Sequence, residues 1–182
     1  EALFGEAYID IGEKTQLTLG FRDYEQDMKL LASNGYYGDK QYGLIGGNFT
    51  SSASGTIPKI NLKHNINDDF MVYGSYTEGF RPGGVNRMSP SDTAPRTYEA
   101  DYLESMELGF KSKLADGKLT MNGALYSMDW TDYQTTTFDL TLVSVAFVDN
   151  VGNAEVTGIE LSLDYAINDT TSLTYYFNGV DS

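Results

Sequence analysis

Three arginines lie close together in a chain that is otherwise strongly acidic: Arg81, Arg87 and Arg96. A guanidinium is a planar, permanently charged fork of hydrogen-bond donors that matches the geometry of carboxylates and phosphates. The three side chains therefore predict a binding site for an anionic ligand such as a metal chelate. The alternative interpretation is that they pair with the neighbouring acids, which are Glu78, Asp92, Glu99 and Asp101.

The other reactive side chains do not assemble into a catalytic or metal-binding pattern. The chain has no cysteine, and the sequence assigns neither a serine nor an aspartate to its single histidine, His64. The adjacent Asp68 and Asp69 suit a turn as well as they suit acid–base chemistry. The segment 149–155 offers oxygen ligands without the full spacing of a calcium loop. We therefore expect no enzyme activity, no metal site and no cofactor.

Composition restricts the class of protein further. Across 182 residues, 26 Asp+Glu stand against 12 Lys+Arg and give a net charge of −14. Such a chain lacks the basic face that nucleic acid requires. A hydrophobic content of 41% with 13% aromatic residues excludes a disordered acidic tail. No apolar run approaches the roughly 18 residues of a membrane-spanning helix.

Apolar and polar residues alternate with period two, which is typical of strands with one apolar and one polar face. The pattern is clearest at 16–22, 105–111 and 158–165. The chain is therefore predicted to be all-β. The residues predicted on the apolar face, in contact with lipid, are Leu17, Leu19, Phe21, Met106, Leu108, Phe110, Ile159, Leu161 and Leu163.

Short polar turns separate pairs of strands at 12–14, 67–69, 115–117 and 168–170. They predict eight antiparallel strands in four hairpins, over residues 3–11, 15–29, 57–66, 70–77, 102–113, 118–133, 155–166 and 171–179. The connections at about 30–56, 78–100 and 134–153 are long and lie at one end of the sheet. A propeller is excluded because each blade needs four strands.

Short turns at one end, long loops at the other and alternating strands of about 10 residues are typical of an antiparallel transmembrane β-barrel. The aromatic residues near strand ends or on the apolar face would form its interfacial belts; they are Phe70, Tyr73, Tyr76, Trp130, Tyr133, Tyr165, Tyr175 and Phe177. Two alternatives remain: a secreted β-sandwich that binds carbohydrate, and a complete small outer-membrane barrel with a structural or adhesive role.

The number of strands bears on whether the barrel is complete. Eight strands place both termini on the side of the long loops, which is the outside of the cell in a bacterial barrel. We therefore expect residues 1–182 to be a partial β-barrel domain, cut from the wall of a larger barrel.

Four segments, in order and at suitable distances, resemble the barrel of TonB-dependent outer-membrane receptors. They are YGSYTEGFRPGG (73–84), ESMELGFK (104–111), LYSMDWTDYQ (125–134) and NAEVTGIEL (153–161). The resemblance runs from about Leu3 to Gly179, which is nearly the whole chain.

The resemblance implies a bacterial outer-membrane receptor with a barrel of about 22 strands, plugged by an N-terminal domain. It implies import of a scarce nutrient, most often a ferric siderophore or similar chelate, with energy from an inner-membrane protein that acts through the plug. Outer-membrane lipid and lipopolysaccharide would be further partners, and the arginines could contact either the chelate or lipopolysaccharide. The plug, the energy-coupling box and the terminal barrel strands are not within these residues.

Overall fold

The structure is a computed structural model that describes residues 1–32, 35–37, 40–42, 47–86, 95–139 and 145–182. Fourteen strands form within this part of the chain. In order they are β1 (Ala2–Ile11), β2 (Thr15–Ala32), β3 (Gly35–Tyr37), β4 (Lys40–Tyr42), β5 (Gly47–Asn67), β6 (Phe70–Arg81), β7 (Gly84–Val85), β8 (Thr97–Tyr98), β9 (Asp101–Leu114), β10 (Leu119–Thr131), β11 (Gln134–Asp139), β12 (Val145–Asn150), β13 (Ala154–Asn168) and β14 (Thr171–Asp181).

Eight long strands build one antiparallel sheet in the order β1-β2-β5-β6-β9-β10-β13-β14. These are the eight predicted strands, and the all-β fold is confirmed. β1 and β14 form the two edges, and no ladder joins them among the described residues, so this stretch of wall is open. The described residues contain no helix that is long and apolar enough to cross a membrane.

The four predicted turns are present, and local chemistry explains each reversal. Asn67 and Asn168 accept hydrogen bonds from the backbone amides of Asp69 and Thr170 through their Oδ1 atoms, which closes two similar hairpins. Gly12 has φ 70° in the first turn. The turn 115–118 places three residues in a row at positive φ, the last of them Gly117.

The long connections contain more regular structure than the sequence predicted. β2 and β5 continue past the predicted ends as a paired ribbon, from Thr15 opposite His64 to Ala32 opposite Gly47. Three two-stranded ribbons lie within the described parts of the loops, β3 with β4, β7 with β8 and β11 with β12. β10 ends at Thr131 rather than at 133, because Asp132 has φ 54° and turns the chain out of the sheet.

The cross-strand register gives the sheet one apolar and one polar face, since residues directly opposite each other project from the same side. One row of opposed residues on the apolar face is Ile9, Leu17, Leu62, Gly74, Leu108, Leu125 and Ile159. All nine residues predicted for the apolar face lie on it. The polar face carries Glu6, Lys59, Glu107 and Glu160.

Two of the predicted belt aromatics project from the other face. Tyr73 lies opposite Gly109 and donates a hydrogen bond to Glu107, and Trp130 lies opposite Leu103; both belong to the polar face. The period-two rule places them there because each is an odd number of residues from an apolar-face position on its own strand, such as Tyr76 or Leu125.

Cross-strand pairs of an aromatic residue and a glycine recur between neighbouring strands. Tyr73 lies opposite Gly109, Phe110 opposite Gly123 and Tyr126 opposite Gly158. A Cβ atom at Gly109 would lie 2.6 Å from the Tyr73 ring, and one at Gly123 would lie 2.5 Å from the Phe110 ring. In this single-layered sheet the glycines leave room for the rings to pack on the backbone of the next strand.

The two faces of the sheet predict different stability costs for substitutions that change the charge. Leu108 is 64% exposed on the apolar face, whereas its neighbour Glu107 lies on the polar face. In the membrane-inserted protein, Leu108→Arg should cost about 2–4 kcal/mol of unfolding free energy, while Glu107→Gln, which keeps an acceptor for Tyr73, should cost little. Urea titrations in lipid vesicles measure both values. Equal costs would contradict this orientation of the sheet.

The glycine pairs predict a position-dependent effect of one methyl group. Gly158→Ala should destabilise the protein by about 1–3 kcal/mol, because the new Cβ overlaps the Tyr126 ring. Gly79→Ala on β6 is the matched control, since no atom lies within 4 Å of its added Cβ. The same titrations compare the two variants, and similar stabilities would show that the Tyr126 ring does not need the space.

Candidate functional site

A buried carboxylate lies where the long loops leave the polar face. Asp101, the first residue of β9, is 1% exposed. Its Oδ2 accepts hydrogen bonds from the Trp130 indole at 2.9 Å and from the Gln134 amide at 3.1 Å, and its Oδ1 accepts one from the Arg81 amide at 3.2 Å. We refer to Asp101, Arg81, Trp130 and Gln134 as the Asp101 cluster.

Arg81, the last residue of β6, is the cation of the cluster. Its Nε lies 3.1 and 3.0 Å from the two carboxylate oxygens of Asp101, and its Nη2 donates to Oδ2 and, at 2.9 Å, to the Gln134 carbonyl. The guanidinium carbon lies 4.8 Å from the Trp130 ring centroid and 5.5 Å from that of Tyr133. The side chain nevertheless remains 47% exposed.

Gln134 joins the loop after β10 to the loop before β9. It is buried, and its Nε2 donates to the carbonyls of Glu99 at 2.9 Å, Pro82 at 3.2 Å and Arg81 at 3.3 Å. Those carbonyls lie at the two ends of the 82–100 loop. One side chain of the 132–153 loop therefore holds both ends of its neighbour.

Two asparagines extend this connection outward, because each side-chain amide bonds to both the backbone amide and the carbonyl of one residue. Asn86 is 5% exposed; its Nδ2 donates to the Val148 carbonyl at 2.8 Å, and its Oδ1 accepts from the Val148 amide at 2.8 Å. Asn150 does the same with Glu99, accepting from its amide at 2.8 Å and donating to its carbonyl at 3.2 Å. The described parts of the two loops thus form one hydrogen-bonded body.

A glycine permits the close approach on which this body depends. A Cβ at Gly83 would lie 2.5 Å from the Tyr98 carbonyl oxygen and 2.9 Å from the Ala100 amide nitrogen. Backbone atoms cannot yield as a flexible side chain can. The glycines that follow Arg81 therefore shape the base of the loop.

A row of four acids crosses the apolar face near the loop end of the strands. Glu78, Glu104, Asp129 and Glu155 lie directly opposite one another on β6, β9, β10 and β13. They follow the row that contains Tyr76 and Met106. The Asp101 cluster is farther along the strands than this acidic row, where β6 ends and β9 begins.

The electrostatics of the cluster favour a charged carboxylate. Burial alone would raise the pKa of Asp101, but the hydrogen bonds from Arg81, from the Gln134 amide and from the Trp130 indole outweigh burial and leave this pKa below its usual value. The hydrogen bond with Asp101 in turn raises the pKa of Arg81. Both partners therefore remain ionised across the neutral range.

The three predicted site residues have different positions. Arg81 pairs with Asp101, one of the four acids that the alternative interpretation named. Arg96 is exposed beside β8, and its carbonyl accepts a hydrogen bond from the Asn86 amide at 3.0 Å. Arg87 lies outside the described residues. Ligand binding by these arginines stays a prediction.

Sequence reasoning missed Trp130, Gln134, Asn86 and Asn150 as members of the site. Trp130 was predicted to belong to an interfacial belt, and no local pattern marks an amide that will pair with a backbone 50 or more residues away, as Asn86 and Asn150 do. His64 contacts Thr15, with 2.8 Å between its Nδ1 and the Thr15 hydroxyl. Within the described residues, no group of three or more His, Cys, Asp or Glu side chains could hold a metal ion.

The long strands form a single antiparallel sheet that is apolar on one side and polar on the other. Short turns lie at one end and long interlocked loops at the other. This combination is typical of outer-membrane β-barrel proteins. A sequence model of the TonB-dependent receptor-like β-barrel matches residues 1–182. This chain therefore belongs to the TonB-dependent receptor family. Its members are bacterial outer-membrane receptors and transporters rather than enzymes.

Individual relatives agree with this assignment. The pesticin receptor of Yersinia enterocolitica is 24% identical over 130 residues, which cover 71% of this chain and 19% of the relative. The ferric yersiniabactin uptake receptor of Yersinia pestis shares the fold with a TM-score of 0.78 at 18% identity, over 98% of this chain and 26% of that one. The copper transporter OprC has a TM-score of 0.73 at 17% identity, over 97% and 28%. The chain thus spans about a fifth of the length of the curated relatives it matches.

The depressed pKa of Asp101 predicts an acid-sensitive loop base. A carboxylate whose pKa is lower in the folded state contributes stability that is complete above its unfolded pKa of about 3.9 and is lost as the pH falls through the folded pKa. The emission of Trp130, the only tryptophan of the chain, should therefore stay constant from neutral pH down to about 4 and change below it. Fluorescence of the chain folded in detergent micelles measures this. The Asp101→Asn variant should lose the transition, and an unaltered transition in that variant would assign it to other acids.

Proposed function

We propose that this chain is part of the barrel wall of a TonB-dependent receptor that binds a ferric siderophore or similar chelate and imports it across the outer membrane. In this proposal residues 1–182 are a partial β-barrel domain. A plug domain outside these residues fills the barrel and passes energy from an inner-membrane protein. Outer-membrane lipid and lipopolysaccharide surround the apolar face.

One observation carries the proposal for ligand binding: the loop base presents a half-exposed guanidinium on the polar face. Arg81 is held by a buried carboxylate and flanked by Trp130 and Tyr133, at the end of the sheet where the loops converge. A rigid base lowers the entropy lost when a ligand binds. Long loops on a fixed wall are also the usual position for recognition.

The charge of the neighbouring loop supports a role for the arginines in recognition of an anion. The 132–153 loop contains Asp132, Asp139 and Asp149 and neither lysine nor arginine. An anionic chelate needs compensating donors at this end of the barrel. Arg81, Arg87 and Arg96 supply them in the proposal.

The name of one similar protein supports the class of cargo: the ferric yersiniabactin uptake receptor shares the fold. We therefore propose an iron chelate as cargo ahead of other scarce nutrients.

The proposal predicts a graded loss of binding at Arg81. In the intact receptor, Arg81→Ala should weaken chelate binding by about 1–3 kcal/mol, and Arg81→Lys should restore it only in part, because an ammonium lacks the planar fork. Equilibrium binding of a panel of iron chelates to the purified receptor and its variants measures the effect, and uptake of radioactive iron by a receptor-deficient strain that expresses the receptor tests import.

Lys118→Ala is the matched control, since it removes one positive charge at the short-turn end of the sheet. Unchanged chelate affinity in every arginine variant, with folding intact, would show that these arginines pair with acids or with lipopolysaccharide rather than with the chelate. Failure of the unmodified receptor to take up any chelate would contradict the proposed cargo.

A further inference from the structure

The hydrogen bonds of Arg81 divide its guanidinium into an occupied and an available edge. A guanidinium has five N–H donors. The Nε and Nη2 groups donate to Asp101 and to the Gln134 carbonyl. Nη1 has no acceptor among the described residues, and the side chain is 47% exposed. The two N–H groups of Nη1, which diverge from one nitrogen, are therefore available for a ligand.

The partner of Arg81 is itself inaccessible to a ligand. Asp101 is 1% exposed, and its two oxygens receive donors from Arg81, Trp130 and Gln134. These donors come from β6, β10 and the start of β11, so three separate segments fix the carboxylate. The carboxylate in turn fixes two nitrogen atoms of the guanidinium and thereby the direction of the third.

We propose that Asp101 is a positioning residue for ligand recognition, which holds Arg81 so that its Nη1 edge donates to an oxygen acceptor of the ligand. This inference rests on the proposed function. It adds that Arg81 acts as half of a neutral ion pair and contributes direction rather than net charge. Recognition by Arg81 then favours ligands that present an oxygen acceptor in the direction of the Nη1 donors.

Two physical pictures give opposite predictions for the removal of the Asp101 charge. If net charge determines the affinity for an oxyanion, Asp101→Asn leaves Arg81 as an uncompensated cation, and the oxyanion binds more tightly. If the direction of the Nη1 donors determines this affinity, the same variant lets the guanidinium rotate, and the oxyanion binds less tightly. The direction of the change therefore decides between the two pictures.

The experiment follows the arginine side-chain NMR signals of the intact receptor in detergent micelles as inorganic phosphate is added at constant ionic strength. Loss of a signal in Arg81→Lys identifies Arg81. We expect a saturable shift of the Arg81 signals in the unmodified receptor and about tenfold weaker phosphate binding in Asp101→Asn.

Asp132→Asn is the matched control. It removes one negative charge from an exposed residue of the adjoining loop, and asparagine tolerates its φ of 54°. Phosphate binding in this variant should equal or exceed that of the unmodified receptor. Asp101→Glu keeps the charge but displaces the carboxylate. It should weaken phosphate binding as Asp101→Asn does, so it tests the inference if the asparagine variant does not fold.

Equal or tighter phosphate binding in Asp101→Asn, or no Arg81 shift in the unmodified receptor, would overturn the inference. Neither outcome depends on which chelate the receptor imports. The uptake assay tests the proposed function separately, so the two can fail independently.

Discussion

The continuous pairing of strands from β1 to β14, with register shifts between Asn65 and Asn67 and between Ala166 and Asn168, is the constraint on which the other features depend. A membrane offers no water to satisfy a backbone amide or carbonyl, so each strand must pair with its neighbours along its length. Pairing fixes the register, and a slip of one residue would move the apolar row that contains Leu108 to the polar face. The hairpins closed by Asn67 and Asn168 help to set that register at the short-turn end.

A single sheet has no second layer to pack against, and its side chains must find contacts within the layer. The pairs Tyr73–Gly109, Phe110–Gly123 and Tyr126–Gly158 meet this need by laying a ring over the neighbouring backbone. They occur on both faces, so the device does not depend on whether lipid or water lies beyond. Glycine has a low strand propensity, but its lack of a side chain allows close packing of an aromatic ring.

The buried charge of Asp101 connects the wall to the loops. A carboxylate removed from water is costly unless several donors compensate it. Its donors come from β6, β10 and β11, so any separation of the two loops exposes or strips this charge. The loops that we propose to recognise a ligand are therefore tied to the strands that hold them in place.

The sequence alone determined the eight wall strands, their turns and the face of the nine alternating apolar residues, because these depend on period-two alternation and on turn residues that are local in the chain. The family was indicated by the resemblance of four segments. The sequence also named the acids available to Arg81. Only the tertiary structure decided that Asp101 is the partner, since the β6–β9 register places these two residues directly opposite each other. Trp130, Gln134 and Asn86 joined the site for the same reason: their partners are 29 or more residues away in sequence and meet only when the ladder is formed.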